Sequence, residues 1–317
     1  MTRTLYAEKY RPKHLDSVIG QDHIIKHIKK FIESDDIPHM MFSGKAGTGK
    51  TTVAKALARD LYGDDWETYF LEVNASDDND VKNVRTKIKD YARIKVVDRD
   101  YKIVFFDEAD YLTKWAQAPL RRIMEMFSDK CRFIFSCNYP EKIIDPIIDR
   151  CVVFRFCGIK QDDMMPMLKD IVEKESIDIT PEALKELARL SYGSMRRPLN
   201  VLHLLKSGNN TNITKQEVRD ILGVINQDEI IHLLSLCKRG NIKEVEKNID
   251  DMLNKKFSPK EILRTMRYVL IHSTLSKEKK LLALEFLGDV SFKISLGGES
   301  DVQIKTFLIR LISLFEG

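Results

Sequence analysis

Residues 44–51 read GKAGTGKT and fit the spacing G-x-x-x-x-G-K-[ST]. Gly44, Gly47 and Gly49 let the backbone turn its N–H groups toward an anion with no Cβ in the way. The helical run that follows, TVAKALARDLY, adds the positive end of its dipole. Such a loop suits the phosphates of a nucleoside triphosphate. Gly44, Lys45, Ala46, Gly47, Thr48 and Gly49 would form the cradle, with Thr52 beside it; Lys50 would reach the β- and γ-phosphates and Thr51 would ligate Mg²⁺. The alternative is a glycine-rich turn that matches by chance, and the strand-like run before it and the helix after it weigh against that.

KIVFFDEAD (102–110) supplies the second half of such a site. Its apolar residues carry the chain through a sheet, and Asp107 emerges at the strand's C-terminal end, where open α/β sheets bind ligands. Asp107 is suited to the Mg²⁺ shell and Glu108 to polarising an attacking water. By itself the acidic run is an ordinary helix start; beside a phosphate loop it becomes hydrolytic machinery. SCN (136–138) sets Asn138 at the end of the next strand, where its amide orients water or the γ-phosphate, or only shapes a turn. DPIIDRCVVF (145–154) places a permanent cation, Arg150, at the mouth of a further strand. Desolvated and unpaired it would be expensive, so it needs a partner. Asp149 and Asp145 are the local candidates, and a phosphate held by another molecule is the other.

These residues need a scaffold, and the hydropathy pattern describes one. Short, nearly continuous apolar runs at 37–43, 69–73, 102–107, 132–138 and 151–156 alternate with helical stretches, the pattern of a parallel sheet covered on both faces. After Gly158 no strand is expected. Helical blocks follow at 161–175, 181–191, 196–206, 214–222, 228–238, 241–254, 258–274, 277–290 and 300–315, the second entered through Thr180 as N-cap and Pro181 in the first turn. The expected division is an α/β nucleotide-binding domain over 1–157, a helical domain over 158–224 and a second helical domain over 225–317.

Of the 317 residues, 43% are hydrophobic and 32% charged, the composition of a soluble globular protein. The opening stretch MTRTLYAEKYRP lacks the apolar core of a signal peptide, and no apolar run reaches membrane-spanning length. The five cysteines, Cys131, Cys137, Cys151, Cys157 and Cys237, contain no C-x-x-C pair and suggest reduced core residues of an intracellular protein. A net charge of +4 is too small to establish nucleic-acid binding, so the distribution of charge matters more. In VKNVRTKIKDYAR (81–93), Val81, Val84, Ile88 and Tyr91 form an apolar stripe. Lys82, Arg85, Lys89 and Arg93 fall within an arc of roughly 80° beside it. Such a row either follows a phosphate backbone or is a solvated face.

The order of these motifs, with GSMRRPLN (193–200), resembles an AAA+ ATPase. More narrowly the chain resembles the small subunits of replication factor C, the clamp loaders of archaea and eukaryotes. YRPKHLDSVIGQ (10–21), LEVNASDD (71–78), DEADYLTKWAQAPLRRIMEMF (107–127) and FSCNYPEKIIDPIIDRCVVFRF (135–156) carry that likeness, which spans nearly the whole chain. It implies a P-loop AAA+ domain, a helical lid and a C-terminal helical collar used for oligomerisation. It implies adenine contacts at Arg11, Val18 and Ile19, a first sensor at Asn138, a second sensor at Arg196, and an arginine finger at Arg150 that acts on ATP bound by a neighbouring subunit. Lys82, Arg85 and Lys89 are implied to track duplex DNA, and Arg121 and Arg122 either couple this helix to the nucleotide site or pair with Glu125. The implied cofactors are ATP and Mg²⁺. The implied partners are a large subunit and further small subunits in a heteropentamer, a sliding clamp of the PCNA type and primer–template DNA. The implied location is the cytoplasm or nucleoid of an archaeon, or the nucleus of a eukaryote. The sequence departs from the family pattern at Lys45, where proline is usual, at Asp149, where serine is usual, and at Asp78-Asn79-Asp80 in place of an E-R-G continuation. A branch-migration motor and a non-hydrolysing scaffold subunit are the alternatives; the scaffold predicts damage at Lys50–Thr51 or Asp107–Glu108, and neither pair is damaged.

Overall fold

The computed structural model describes residues 4–75, 81–93, 101–208, 211–254 and 257–316, with the backbone alone at 81–85. The chain divides into two compact units, Met1–Lys215 and Gln216–Gly317.

The first unit holds a five-stranded sheet in the order β2-β3-β4-β1-β5. Its strands are β1 Met40–Ser43, β2 Phe70–Asn74, β3 Lys102–Asp107, β4 Cys131–Cys137 and β5 Val152–Arg155. Every described pairing is parallel, so all strands deliver their C-terminal ends to one edge. Parallel strands need helical crossovers, and the sequence supplies α3 Lys50–Tyr62, α4 Val81–Arg93 and α5 Lys114–Met126 between them. Short helices α1 Tyr6–Lys9 and α2 Asp22–Glu33 precede the sheet. Alternate strand residues point to opposite faces and make two cores. Phe42, Ile103, Phe105 and Ile134 pack with α2 and α3 on one face; Met41, Val104, Phe106, Phe133 and Phe135 pack with Ile88 of α4 and Leu120 of α5 on the other. Pro119 and the buried Gln117 lie within α5, and Gln117 links this helix to the loop after β4. Its Nε2 donates to Leu112 O (2.9 Å) and Lys142 O (3.0 Å), and its Oε1 accepts from Ile144 N–H (2.8 Å).

Helices α6 Asp145–Ile148, α7 Gln161–Lys174, α8 Pro181–Leu190 and α9 Arg196–Ser207 complete the first unit. The Thr180 hydroxyl accepts the Ala183 N–H at the start of α8, as the sequence predicts. Gly193, at φ +85°, lets α9 approach the α/β body closely: a Cβ here would lie 2.6 Å from Gly158 Cα. Helix α10 Lys215–Ile221 leads into the second unit, where α11 Gln227–Lys238, α12 Ile242–Asn254, α13 Pro259–His272, α14 Lys277–Ser295 and α15 Ser300–Glu316 share a separate core built on residues such as Ile230, Ile249, Met266, Leu270 and Phe307. Among the described residues no helix is long and apolar enough to cross a membrane. All five cysteines are free; Cys131, Cys137 and Cys237 are buried and Cys151 half-buried, but Cys157, expected in a core, is exposed because it lies in the loop beyond β5.

His39 sits at the entry to β1, where its Nδ1 accepts the Phe133 N–H (3.2 Å). Burial, assisted by the nearby Arg132 cation, lowers its pKa from 6.5 to about 4. The unfolded chain therefore binds the extra proton first, and stability present above pH 6.5 is lost as pH falls toward 4. Between pH 7 and pH 5 the loss from this group should be about 2 kcal/mol. Urea titrations at both pH values should show that loss in the wild type and a correspondingly smaller one in His39→Gln; equal losses would contradict the assignment.

Candidate nucleotide site

Three adjacent strands, β3, β4 and β1, end side by side and deliver Asp107, Asn138 and the loop that opens at Gly44. The loop is anchored by Gly44 N–H, which donates to Cys137 O (3.1 Å), and by the Thr48 hydroxyl, which donates to Lys45 O (2.8 Å). Buried Gln21 steadies it from outside, its Nε2 donating to Thr48 O (3.2 Å) and Cys157 O (2.8 Å). Gly49 then starts α3 with a left-handed backbone (φ 103°) and no side-chain cap, leaving the helix's first N–H groups open to the loop.

Lys50 is the first residue of α3 and is only 7% exposed. Its ammonium donates to Gly44 O (2.6 Å), Lys45 O (3.0 Å) and Asn138 Oδ1 (3.0 Å). All three acceptors are neutral, so burial prevails and holds the Lys50 pKa below the ordinary lysine value, against the pull of Asp107. The Thr51 hydroxyl donates to Asp107 Oδ2 (2.8 Å), whose Oδ1 accepts Glu108 N–H (3.0 Å). Glu108 has a left-handed backbone at φ 54°, unusual for a residue with a side chain and a form of strain that collects at functional sites. Buried Asp110 accepts the N–H groups of Asn138 and Tyr139 (both 3.3 Å) and so fixes the turn that presents the Asn138 amide.

Thr51 and Asp107 are hard oxygen donors of the kind Mg²⁺ prefers. Among the described residues no group of three or more His, Cys, Asp or Glu side chains forms a metal cage, so an ion here would draw its remaining ligands from phosphate and water.

A cleft of ≈ 930 Å³, open to solvent, runs from this floor toward α9. It is lined by the expected Arg11, Val18, Ile19, Ala46, Gly47, Thr48, Gly49, Lys50, Thr51, Thr52, Asp107, Glu108, Asn138 and Arg196. Gly44 and Lys45 stand behind it, lending carbonyls to Lys50. The residues that open α9 meet the loop through backbone: Met195 N–H donates to Gly47 O (3.0 Å), and a Cβ on Gly47 would come 2.0 Å from Ser194 Oγ. Arg196 follows as the first residue of α9. The sequence reading missed the apolar wall of Ile159, Met167, Met195 and Leu199, and the floor residue Ser136. It also missed how the N-terminal strap is held. Glu175, at the C-terminal end of α7, accepts from Lys9 Nζ and Tyr10 OH (both 2.5 Å), while Arg11 Nη1 donates to Thr52 Oγ1 of α3 (3.4 Å). Burial opposes ionisation of Glu175, but hydrogen bonds from Lys9, Tyr10 and Tyr6 prevail and hold its pKa at about 2.

Arg150 does not line this cleft. Its resting partner is neither Asp149 nor Asp145. Nη2 donates to Glu125 on α5 (2.5 Å) and Nη1 to Pro146 O (2.7 Å), because the C-terminal end of α6 turns the guanidinium toward α5 and away from its sequence neighbours. Arg121 Nε donates to the same Glu125 oxygen (3.1 Å), the pairing that the sequence offered as one of two readings of Arg121. On α4, Ile88 is buried and Tyr91 packs beside the same core, in keeping with the apolar stripe, and Lys89 is half-buried. The side chains of Lys82 and Arg85, and residues Asp78, Asn79 and Asp80, lie outside the described residues.

Comparison with known proteins identifies this arrangement. Residues 40–159 match the ATPase family associated with various cellular activities (AAA), and residues 225–310 match the replication factor C C-terminal domain. The replication factor C small subunit of Picrophilus torridus is 42% identical over 309 residues, covering 97% of this chain and 96% of that protein. The small subunits of Archaeoglobus fulgidus (38% identical; 98% of this chain and 98% of that protein) and Staphylothermus marinus (37% identical; 98% and 95%) are similar along the same span. Among solved structures, the RuvB Holliday junction branch migration motor of Thermotoga maritima superposes with a TM-score of 0.57, covering 71% of this chain and 78% of that chain; at 17% identity the likeness shows a shared fold and no more. With an AAA ATPase domain, a replication factor C C-terminal domain and near full-length similarity to these subunits, the chain belongs to the replication factor C small-subunit family.

Proposed function

We propose that this chain is an ATP-hydrolysing subunit of a clamp loader. The observation that carries the reading is the convergence of Lys50, Thr51, Asp107, Glu108 and Asn138 on one cleft whose far wall bears Arg196. In this reading the loop backbone and Lys50 hold the triphosphate, Val18, Ile19 and Arg11 meet the adenine end, and Arg196 touches the phosphates from the lid. Glu108 polarises the attacking water, and Asn138 orients it or the γ-phosphate. Thr51 and Asp107 would hold Mg²⁺, which would supply neutralisation of the phosphate charge.

Arg150 is assigned to the ATP of a neighbouring subunit. Arg150 stands outside its own cleft, partly buried and paired within its own chain, which supports a role at a site other than its own. Its pairing with Glu125 is solvent-exposed on the carboxylate side and therefore weak. When a more highly charged triphosphate draws Arg150 away, Arg121 still neutralises Glu125, so the exchange leaves no orphan carboxylate. ATP binding would thus assemble neighbouring subunits, and hydrolysis would loosen them. The partners proposed are a large subunit and further small subunits in a heteropentamer joined through the helices of 225–317, a PCNA-type sliding clamp, and primer–template DNA tracked by Lys82, Arg85 and Lys89. DNA and clamp would stimulate the ATPase.

The test mixes two defective chains in loaders reconstituted with the large subunit, clamp and primed DNA. Loaders built wholly from Lys50→Ala or wholly from Arg150→Ala small subunits should lose nearly all DNA-stimulated ATPase. Mixed assemblies should recover part of it, at seams where an intact cradle meets an intact finger. Full turnover by Arg150→Ala loaders, or no recovery on mixing, would overturn the shared site.

A further inference from the structure

Ser136 is a buried polar residue of β4 to which no role in the site has been given. It is 1% exposed, and its hydroxyl has no hydrogen-bond partner. The described residues include other buried side-chain atoms without a partner, on Gln21, Tyr91, His203 and Asn248, but only Ser136 lines the nucleotide cleft. Its position follows from register. Ser136 pairs with Phe42 of β1, and extending the β3–β4 pairing of Phe105 with Ile134 and Phe106 with Phe135 by one residue sets it beside Asp107. Strand alternation puts it on the same face as Ile134, under the phosphate loop and not in the opposite core.

A hydroxyl buried without a partner destabilises the protein relative to alanine of the same backbone. The neighbouring groups do not relieve it: Thr51 Oγ1 and Glu108 N–H already engage Asp107, and Lys50 is already satisfied by three oxygens. Ligand binding changes that balance. Thr51 can offer an oxygen lone pair to a cation while its proton still bonds Asp107 Oδ2, and the ion's water shell would then lie against the end of strand β4, where Ser136 lines the cleft. We infer that Ser136 is a positioning residue for the hydrated divalent cation of the bound triphosphate, its hydroxyl bonding metal-bound water or the Asp107 carboxylate from outside the ligand set. Thr51 and Asp107 hold the ion, and Ser136 orients what surrounds it.

The inference rests on the reading of the cleft as a Mg²⁺–ATP site, and the test separates the two. Full-length wild type, Ser136→Ala and Ser136→Cys are titrated with a fluorescent ATP analogue in EDTA and at graded Mg²⁺, Mn²⁺ binding is followed by electron paramagnetic resonance, and melting midpoints are taken without nucleotide. Ser136→Ala should raise the Mg²⁺ half-saturation and the Mn²⁺ dissociation constant about tenfold. It should leave analogue affinity in EDTA unchanged and should not lower the melting midpoint, with Ser136→Cys falling between alanine and wild type. A wild-type Mg²⁺ requirement in Ser136→Ala would overturn the assignment. So would a lower midpoint with equal loss of affinity in EDTA, which is the mark of a packing role. Failure of the wild type itself to bind the analogue with Mg²⁺ would remove the cleft reading and this inference together.

Discussion

The buried ammonium of Lys50 is the interaction on which the site depends. A cation that has lost most of its water survives in a folded protein only with acceptors close by. Here it has two carbonyls from its own loop and the amide oxygen of Asn138. All three acceptors are uncharged, so the ammonium is satisfied geometrically while its charge is offset only through space, by Asp107 and Asp110. That is a suitable resting state for a group that must later face phosphate. The contact to Asn138 also ties the loop after β1 to the end of β4, and Asp110 in turn fixes that end through two backbone N–H groups. The geometry of the phosphate cradle is therefore a property of the sheet edge as a whole.

Around that centre the structure brings backbones together more closely than side chains would allow. Gly47 meets the residues that open α9, and Gly193 meets Gly158 at a separation where a Cβ would collide. The start of α9, with Arg196 as its first residue, thereby rests on the phosphate loop itself. On the opposite wall, the segment bearing Tyr10 and Arg11 is tied to the end of α7 through Glu175 and to α3 through Thr52. Both walls of the cleft are therefore tied to the α/β body and to the helices that follow Gly158.

Much of this was legible in the sequence because it is local. The phosphate loop, the strand ends at Asp107 and Asn138, the N-cap at Thr180 and the helical character after Gly158 each depend on residues adjacent in the chain. What escaped reading depends on contacts between distant residues. Arg150 has acids at 145 and 149, yet pairs with Glu125, because the turn after α6 decides where a guanidinium points. Glu175 shows nothing in sequence to link it with Tyr10, and Ser136 looks like any small strand residue until the fold puts it in the same cleft as Asp107. Cys157 looked apolar by company but lies in the exposed loop beyond the strand.

The central claim is that Lys50 is held for phosphate and not for stability. Replacing it by methionine, close in size and uncharged, tests that most directly, with unfolding midpoints taken without nucleotide and ATP affinity measured on the same preparation. The account predicts a midpoint at or above the wild-type value, since a buried charge with only neutral acceptors is removed, and an ATP affinity lower by about a hundredfold or more. A markedly lower midpoint together with near-normal ATP affinity would contradict it and make Lys50 a structural strut.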